Sequence, residues 1–179
     1  TLIMSYKPLP YTYGAKTTAE INSLGSPLQL RRGDTVFNTD SQMIEIWSGR
    51  LWVDERSIEF KIKSTVEASL GNLMKTDATG LIDLCDNSAA ERQQFCGVIL
   101  AISGQDGSGL GGYAAVAHAG KVKAKAGASV QSGQWAIVDS TAGRYNDTTL
   151  PGAGCIGLVM ESASDGNLAT IALQTIELA

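Results

Sequence analysis

The sequence predicts a mainly β protein: a small β-barrel or sandwich built from an internal duplication and preceded by an extended arm and a short β-meander. Three observations predict this fold class. Glycine accounts for 20 of the 179 residues, well above the usual share of about 7%. Short apolar segments are separated by turn residues roughly every 8 to 12 positions, which is typical of β-sandwiches. A pattern in the second half recurs after about 60 residues, which indicates a repeat.

Residues 1–30 are predicted to form an extended arm followed by a loop. Pro8, Pro10 and Pro27 interrupt the segment, and a residue that precedes proline favours extended backbone. Residues 18–22 suit one helical turn at most. Exposed aromatic side chains are unfavourable in water, so the arm is either disordered in isolation or docks on a partner. The expected anchors are Leu2, Ile3, Tyr6, Leu9, Tyr11 and Tyr13.

Residues 31–56 are predicted to form a short β-meander. Its strands are expected at 35–38, 43–47 and 51–54, because residues with turn chemistry separate these segments. Ile44 and Ile46 alternate with Met43, Glu45 and Trp47, which favours a half-buried strand. A meander of this size buries little apolar surface alone, so a neighbour is expected to cover it.

Residues 57–179 are predicted to form one duplicated domain. Residues 57–63 alternate apolar and polar side chains, as in a half-buried strand. The segment that begins Ala68-Ser-Leu-Gly-Asn-Leu resembles the segment that begins Ala128-Ser-Val-Gln-Ser-Gly. The copies are placed at about 64–121 and 122–179 on this basis. Cys96 and Cys155 are interpreted as equivalent positions, because Cys96-Gly-Val-Ile-Leu matches Cys155-Ile-Gly-Leu-Val.

The duplication decides the interpretation of residues 66–74. Their apolar spacing suits a helix, and Ser64 with Glu67 resembles a capping box. The matching segment near Trp135 is rich in strand-forming residues, so a strand is predicted in both copies. A short helix is predicted from Asn87 or Ser88 to about Phe95, with Glu91 closing a capping box. The strands of this domain are predicted at 57–63, 72–76, 81–84, 98–102, 113–117, 121–125, 135–139, 156–161 and 169–177.

Charge and composition exclude several classes of protein. The net charge is −4 and the 14 Lys and Arg residues are scattered, whereas a nucleic-acid binder needs a clustered basic face. No apolar run reaches the roughly 18 residues of a membrane span, and the first residues lack the pattern of a secretory signal. Three cysteines cannot all pair within one chain, which favours synthesis in a reducing cytoplasm.

Two short motifs in the sequence match known binding motifs. Residues 107–112 fit G-x-G-x-x-G, but Gly120 follows too soon for the crossover helix that a dinucleotide fold requires. A hairpin tip is therefore predicted there. Arg32-Gly33-Asp34 matches the cell-adhesion tripeptide, and a chance match at the start of a strand is the favoured interpretation.

No catalytic or metal site is predicted from the reactive residues. His118, the single histidine, has no nucleophile motif nearby and is expected to face solvent on a strand. Cys85, Cys96 and Cys155 lack the close spacing of zinc ligands, so they are expected to be small core residues. The acidic residues lie in or beside predicted turns, where Asp stabilises the backbone, and no two of them are predicted to pair. These residues are Asp77, Asp83, Asp86, Asp139 and Asp147.

The second half resembles a known family, the small β-rich capsid decoration proteins of tailed bacteriophages. The resemblance lies in the segment from Ala128 to Arg144 and in the strand sequence Ile156-Gly-Leu-Val-Met-Glu, and covers about residues 64–179. The segment from Gly33 to Trp52 separately resembles a short β segment of phage fibre and head-appendage proteins. The N-terminal part departs from the plain decoration pattern, which leaves both a cement protein and a protruding knob open.

The resemblance implies a non-enzymatic virion protein without a cofactor. Such proteins bind the outer surface of the capsid and bridge subunits of the major capsid protein, commonly as homotrimers. The chain is then expected to be made in the host cytoplasm and to reside on the capsid exterior, with no nucleic-acid or membrane partner. The alternative is a head fibre, knob or tail appendage that attaches to host-surface glycans through residues 104–112, Trp47 and Trp52. An enzyme is the third class.

Overall fold

The computed structural model describes residues 10–24, 30–88, 94–152 and 154–174. These residues are mainly β and form three sheets. Among the described residues, no sheet closes into a complete barrel. The chain divides into two compact units, Thr1–Glu55 and Arg56–Ala179, which we call unit 1 and unit 2.

The described part of unit 1 contains a four-stranded sheet and one short helix. Its elements are β1 (Thr12–Lys16), α1 (Thr18–Ser23), β2 (Thr35–Asn38), β3 (Met43–Trp47) and β4 (Trp52–Asp54). The strand order is β1-β2-β3-β4, with β1 parallel to β2 and the other neighbours antiparallel. Helix α1 begins after Thr17, whose hydroxyl accepts a hydrogen bond from the Glu20 N–H while the Glu20 carboxylate accepts one from the Thr17 N–H. This capping box satisfies two backbone donors that the helix leaves unpaired.

The prediction of an irregular arm needs correction over residues 10–24. The Thr35 N–H donates to the Tyr11 carbonyl and the Thr39 N–H donates to the Lys16 carbonyl, so β1 belongs to the same sheet as the meander. Helix α1 is slightly longer than the single turn that the sequence predicts. Residues 1–9 and 25–29 lie outside the described part of the chain.

Unit 2 contains two five-stranded sheets. The first is formed by β5 (Ser57–Lys61), β6 (Leu73–Thr76), β7 (Ile82–Leu84), β8 (Phe95–Ser103) and β9 (Tyr113–Ala117). The second is formed by β10 (Gly120–Lys125), β11 (Trp135–Val138), β12 (Tyr145–Thr148), β13 (Cys155–Val159) and β14 (Leu168–Leu173). The strand orders are β5-β9-β8-β6-β7 and β10-β14-β13-β11-β12, so the two sheets have the same topology.

The strand pairing confirms the internal duplication and extends its first copy. A parallel bridge links the ends of the two edge strands in each copy, at Ile62 and Ile82 in the first and at Ala126 and Tyr145 in the second. A register shift interrupts the β6–β8 pairing and recurs at the matching place in β11–β13. The first copy begins with β5, so its start at residue 64 is corrected to Ser57.

The register also corrects the proposed match of Cys96 with Cys155. Gly97 lies opposite Met74, and Gly157 lies opposite Ala136, at the same step of the two registers. The two glycines are therefore equivalent, and Cys155 corresponds to Phe95 rather than to Cys96. A one-residue difference matters because it places a side chain on the opposite face of the sheet.

The two glycines occupy positions where no side chain fits. A Cβ atom at Gly97 would lie 2.0 Å from the Ala117 carbonyl oxygen, and one at Gly157 would lie 2.1 Å from the Ala172 carbonyl oxygen. These oxygens belong to the last strand of each copy, which approaches the bulged strand closely. The pairing of β8 with β9 and of β13 with β14 therefore requires glycine at both positions.

The predicted helix at residues 87–95 needs correction at its end. Phe95 is the first residue of β8 and is buried, because its side chain belongs to the apolar cluster of unit 2. Residues 89–93, including Glu91 of the predicted capping box, lie outside the described residues. Strand β12 has no counterpart among the predictions, because its sequence Tyr-Asn-Asp-Thr is mostly polar.

The core of unit 2 contains two apolar clusters. One lies within the first copy and includes Met74, Ile82 and Ile99. The other joins both copies, because Leu73, Phe95 and Val98 of the first copy pack with the interior residues of the second. Burial of a leucine or valine side chain contributes about 1.5–3 kcal/mol, so the contact between the copies is an integral part of the fold.

Two glycines mediate the backbone contact between the copies. The Leu73 N–H donates to the Gly143 carbonyl (2.9 Å), and the Gly143 N–H donates to the Cys85 carbonyl (2.7 Å). Gly143 thus inserts at the end of the β6–β7 pair. The Lys125 N–H donates to the Gly71 carbonyl (2.9 Å), which attaches β10 to the loop before β6. Both glycines have positive φ, 79° at Gly71 and 77° at Gly143.

Candidate binding surfaces

Several ionisable side chains of the described residues have structural roles. Lys63 Nζ contacts the carboxylates of Asp77 (3.2 Å) and Asp83 (3.0 Å). Asp77 Oδ1 also accepts hydrogen bonds from the Thr79 hydroxyl and from the N–H groups of Thr79 and Leu81. These contacts fix the β6–β7 turn, as the sequence predicts for a turn aspartate.

The other four acidic candidates are also engaged with the backbone or with lysine. Asp86 accepts from the Ser88 N–H, Asp139 from the Thr141 N–H and Asp147 from the Gln131 N–H. Asp83 lies in β7, within the strand predicted at 81–84, whereas Asp147 lies in β12, a strand that the sequence does not predict. In the described residues, no group of three or more His, Cys, Asp or Glu side chains is arranged to hold a metal ion.

Unit 2 is expected to lose stability in acid through Asp77. The Thr79 hydroxyl contributes most to lowering the Asp77 pKa from its ordinary 3.8 to about 2, against an opposing effect of burial; further hydrogen bonds, including one from Lys63, assist. A carboxylate whose folded pKa is depressed stabilises the fold above its unfolded pKa, and this contribution is lost as pH falls towards the folded value. The free energy of unfolding, determined by urea denaturation at several pH values between 2 and 7, measures this loss.

The control for the acid effect is Asp77→Asn, which keeps an oxygen acceptor in the turn but removes the charge. The variant is expected to be less stable than the wild type at pH 7. Its unfolding free energy is also expected to change less between pH 4 and pH 2. Equal pH slopes for the two proteins contradict the assigned role of Asp77. Glu161, whose pKa is lowered to about 2 chiefly by its hydrogen bond from Lys123, contributes to the remaining slope.

Arg32-Gly33-Asp34 has a structural role in unit 1. The Asp34 side chain is fully buried and accepts hydrogen bonds from the N–H groups of Tyr11 and Arg31, both 2.8 Å. Burial opposes ionisation, but these bonds and a longer one from the Tyr13 hydroxyl hold the Asp34 pKa below its ordinary value. The carboxylate is therefore engaged in fixing β1 to β2, and it is not presented to a receptor.

The glycine-rich segment 104–112 is a hairpin tip between β8 and β9, as predicted. Asp106 accepts hydrogen bonds from the N–H groups of Ser108 and Leu110, and the Gln105 amide donates to the carbonyls of Ala68 and Gly109. Strand β9 follows directly, so no helix opens at the last glycine. The segment lacks the helix N-terminus that binds phosphate in dinucleotide folds.

The histidine lies between β9 and β10, which differs from the prediction of a solvent-facing strand position. His118 is half-buried, and its Nδ1 atom is buried without a hydrogen-bond partner in the described residues.

The cysteines are free thiols. Burial raises the pKa of the Cys96 thiol to about 12, so this cysteine stays protonated and behaves as a core residue.

Four aromatic rings of unit 1 form a contiguous cluster. The ring centroids of Tyr11 and Tyr13 are 4.8 Å apart, those of Tyr13 and Trp52 are 6.3 Å apart, and those of Trp47 and Trp52 are 5.5 Å apart. The first two pairs meet edge to face, which is a favourable geometry for aromatic rings. Tyr11 is largely exposed, while Tyr13 is tied into the sheet. Of the six predicted anchors, Leu2, Ile3, Tyr6 and Leu9 lie outside the described residues.

One face of the unit 1 sheet is apolar and exposed. Phe37 lies opposite Ile44, and Ile46 lies opposite both Thr35 and Val53. The three large apolar side chains are all exposed, Ile44 to 62%. The alternation of residues 43–47 was a signal for this face, but the sequence does not show which side of the strand is covered. We call Thr35, Phe37, Ile44, Ile46 and Val53 the apolar face.

A polar groove lies on unit 2, at the second copy. It is lined by the side chains of Gln131, Gln134, Asp147, Thr148 and Thr149. Its charged lining residue, Asp147, is engaged by the Gln131 N–H at 2.8 Å. The groove therefore offers amide, hydroxyl and carboxylate groups as hydrogen-bond partners. In the part of the chain that the structure describes, no helix is long and apolar enough to cross a membrane.

No protein-family model and no curated protein matches the chain. A similar solved structure is described as the head fiber gp8.5 N base in bacteriophage phi29, with a TM-score of 0.49 and 15% sequence identity. The match covers 69% of this chain and 98% of that chain.

Proposed function

We propose that the chain is a non-enzymatic structural protein of a tailed-phage virion that binds the outer surface of the capsid. In this role unit 2 provides a rigid β body and unit 1 provides the adhesive surface. The resemblance of residues 64–179 to capsid decoration proteins supports the class of protein. The observation that carries the adhesive role is the apolar face of unit 1, which the described residues leave exposed.

The small core of unit 1 supports this assignment. Its buried apolar side chains in the described residues are Ile21, Val36 and Leu51. A core in a domain of this size rarely supplies more than about 3–5 kcal/mol. A partner that covers Ile44 and Ile46 removes apolar surface from water and adds to that stability.

The major capsid protein is the proposed partner, and bridging of neighbouring capsid subunits is the proposed effect. Shell reinforcement depends on contact area and complementarity, which the apolar face and the exposed Tyr11 ring provide. The anchors Leu2, Ile3, Tyr6 and Leu9 extend the contact in this proposal. A homotrimer on the capsid exterior is the assembly that the resemblance to decoration proteins implies, and each added copy increases the number of simultaneous attachments.

Cosedimentation with empty heads of the phage that encodes the chain tests the function. Wild-type protein is expected to pellet with the heads, and Ile44→Glu is expected to reduce binding at least about tenfold, because it places a charge in the contact. The matched control is Leu150→Glu, since Leu150 is 74% exposed but belongs to a loop of unit 2. Failure of the wild-type protein to bind, or equal binding by Ile44→Glu, contradicts the proposal.

A truncation tests the arm and must respect strand β1. Removal of residues 1–9 is expected to leave unit 1 folded and to weaken capsid binding. Removal to residue 14 would also delete Tyr11, whose carbonyl accepts from the Thr35 N–H, so that variant reports on folding as well as on binding.

Attachment to host-surface glycans is the alternative function. The exposed tip of the β8–β9 hairpin in unit 2 and, separately, the exposed Tyr11 ring in unit 1 favour it, because polar loops and aromatic rings each suit sugars. Glycan-array binding by purified protein that shows no affinity for heads would support this alternative.

A further inference from the structure

The two copies in unit 2 contact each other through different surfaces. The first copy contributes what we call its receiving face, formed by the Gly71 loop and the buried side chains Leu73, Cys85, Phe95 and Val98. The second copy contributes what we call its inserting face, formed by β10 and the turn at Gly143. The contact is head to tail. The first copy therefore has an inserting face that is not used in this contact, and the second copy has a receiving face that is not used in it.

The strand registers identify the unused faces. Ser57–Lys61 corresponds to residues 121–125 and the Gly80 turn corresponds to the Gly143 turn, so the first copy has an unused inserting face. The Gly133 loop corresponds to the Gly71 loop, so the second copy has an unused receiving face. The side chains of that receiving face are Trp135, Thr148, Cys155, Leu158 and Met160.

The inserting face of the first copy is more exposed than that of the second copy. This difference is expected if the face of the first copy is free to bind another molecule. Val122 is 4% exposed, whereas its equivalent Ile58 is 49% exposed. A Cβ atom at Gly143 would contact Leu84, whereas one at Gly80, which has the same φ of 77°, would meet nothing within 4 Å.

The receiving faces show the same contrast. Val98 is completely buried, whereas its equivalent Leu158 is only half-buried. Leu100 packs against the joint cluster, whereas its equivalent Met160 is 42% exposed. Gly71 is buried, and Gly133 is exposed.

We infer that a second copy of this chain binds head to tail, with the unused inserting face of one molecule on the unused receiving face of the next. The occupant is specified by the internal contact, in which a repeat of the same topology already occupies the equivalent face. No new type of surface is required, because the internal contact shows that an inserting face and a receiving face of this topology join through an apolar cluster and backbone hydrogen bonds.

The internal contact predicts individual bonds across the new one. Asn72 Nδ2 donates to the Gly143 carbonyl at 3.1 Å, so its equivalent Gln134 is expected to donate to the Gly80 carbonyl of the neighbour. The Lys61 N–H is expected to donate to the Gly133 carbonyl, as Lys125 does to Gly71. The Trp135–Thr148 pair at the end of the β11–β12 pairing must separate so that the Gly80 turn of the neighbouring molecule can insert there.

Repetition of a head-to-tail contact gives either a closed ring or a filament. Three chains in a ring would place six repeats about the axis, which requires a rotation of about 60° between successive repeats. The inference concerns assembly only, and it stands whether or not the protein binds a capsid.

A mixing experiment tests the inference. Wild-type protein is expected to form concentration-dependent oligomers in sedimentation velocity. Ile58→Glu places a charge on the unused inserting face, and Met160→Glu places one on the unused receiving face. Both positions are exposed, and each variant alone is expected to be monomeric. A mixture retains one intact pair of faces and is expected to form a one-to-one dimer that does not grow further. Circular dichroism melting curves verify that both variants are folded.

Two glycine variants provide a matched second test. Gly80 and Gly166 both have φ of 77° and open space around a new Cβ, but only Gly80 lies on an unused face. Gly80→Ala is expected to weaken assembly about tenfold or more, whereas Gly166→Ala is expected to assemble like the wild type. A wild type that stays monomeric at high micromolar concentration overturns the inference. It is equally overturned by oligomers that neither face variant disrupts, or by a variant mixture that remains monomeric.

Discussion

Gly157→Ala is expected to destabilise unit 2 by about 3 kcal/mol or more. The new Cβ would lie 2.1 Å from the Ala172 carbonyl oxygen, and this oxygen belongs to the backbone of β14. Relief of the clash requires β13 and β14 to separate, which also breaks hydrogen bonds in the centre of the sheet. Chemical denaturation monitored by tryptophan fluorescence measures the loss.

The matched control for this prediction is Gly107→Ala. Neither Gly107 nor Gly157 has a positive φ, and a Cβ at Gly107 would meet no atom within 4 Å. This variant is expected to remain within about 0.5 kcal/mol of the wild type. Similar unfolding midpoints for the two variants contradict the close approach of β13 and β14.

Gly143→Ala is expected to weaken the contact between the two copies and to destabilise unit 2 by about 2–3 kcal/mol. Two effects combine at this position. A residue with a Cβ is strained at a φ of 77°, which costs about 1–2 kcal/mol. The Cβ would also lie 2.8 Å from Leu84 Cδ2 and 2.9 Å from Asn72 Nδ2, so the turn must move away from Leu73 and Cys85.

Gly166→Ala separates the two effects, because it has the same φ and no neighbour within 4 Å. It is expected to lose only the backbone term of about 1–2 kcal/mol. Both variants are measured by urea unfolding at low protein concentration, so that self-association does not contribute. A Gly143→Ala protein as stable as Gly166→Ala is inconsistent with insertion of the Gly143 turn.

The duplication could be predicted because glycines and turn aspartates impose backbone geometry that survives sequence change. Asp77 and Asp139 make equivalent bonds to the residue two positions later. The alignment of the two copies from sequence is wrong by one residue at this point, because it relied on Cys96 and Cys155. These two positions share a residue type but are not equivalent in the structure. Gly97 and Gly157 mark the equivalent positions, since steric exclusion leaves no alternative to glycine there.

The missed strands have non-local causes. Strand β1 forms because Asp34 and Thr35 bind the Tyr11 backbone from 23 and 24 positions along the chain, and short-range pattern does not reveal such a parallel pairing. Strand β12 is a polar edge strand, and its pairing with β11 rather than its composition determines its structure.

The candidate surfaces were only partly visible in the sequence. The alternation of residues 43–47 predicted a half-buried strand, and the structure shows that Ile44 and Ile46 form its exposed side. The buried state of Asp34 explains why the tripeptide at 32–34 is structural. Whether an apolar side chain is covered depends on tertiary packing, which one sequence does not specify.

The two-residue link between β9 and β10 has a thermodynamic consequence for unit 2. His118 and Ala119 alone separate the strands, so the second copy is held at a high effective concentration beside the first. The contact forms without the loss of translational and rotational freedom that association of separate molecules entails. Equivalent pairs of faces are thus expected to be fully occupied within a chain but only partly occupied between chains. The extent of assembly can then follow the local protein concentration while the chain itself stays folded.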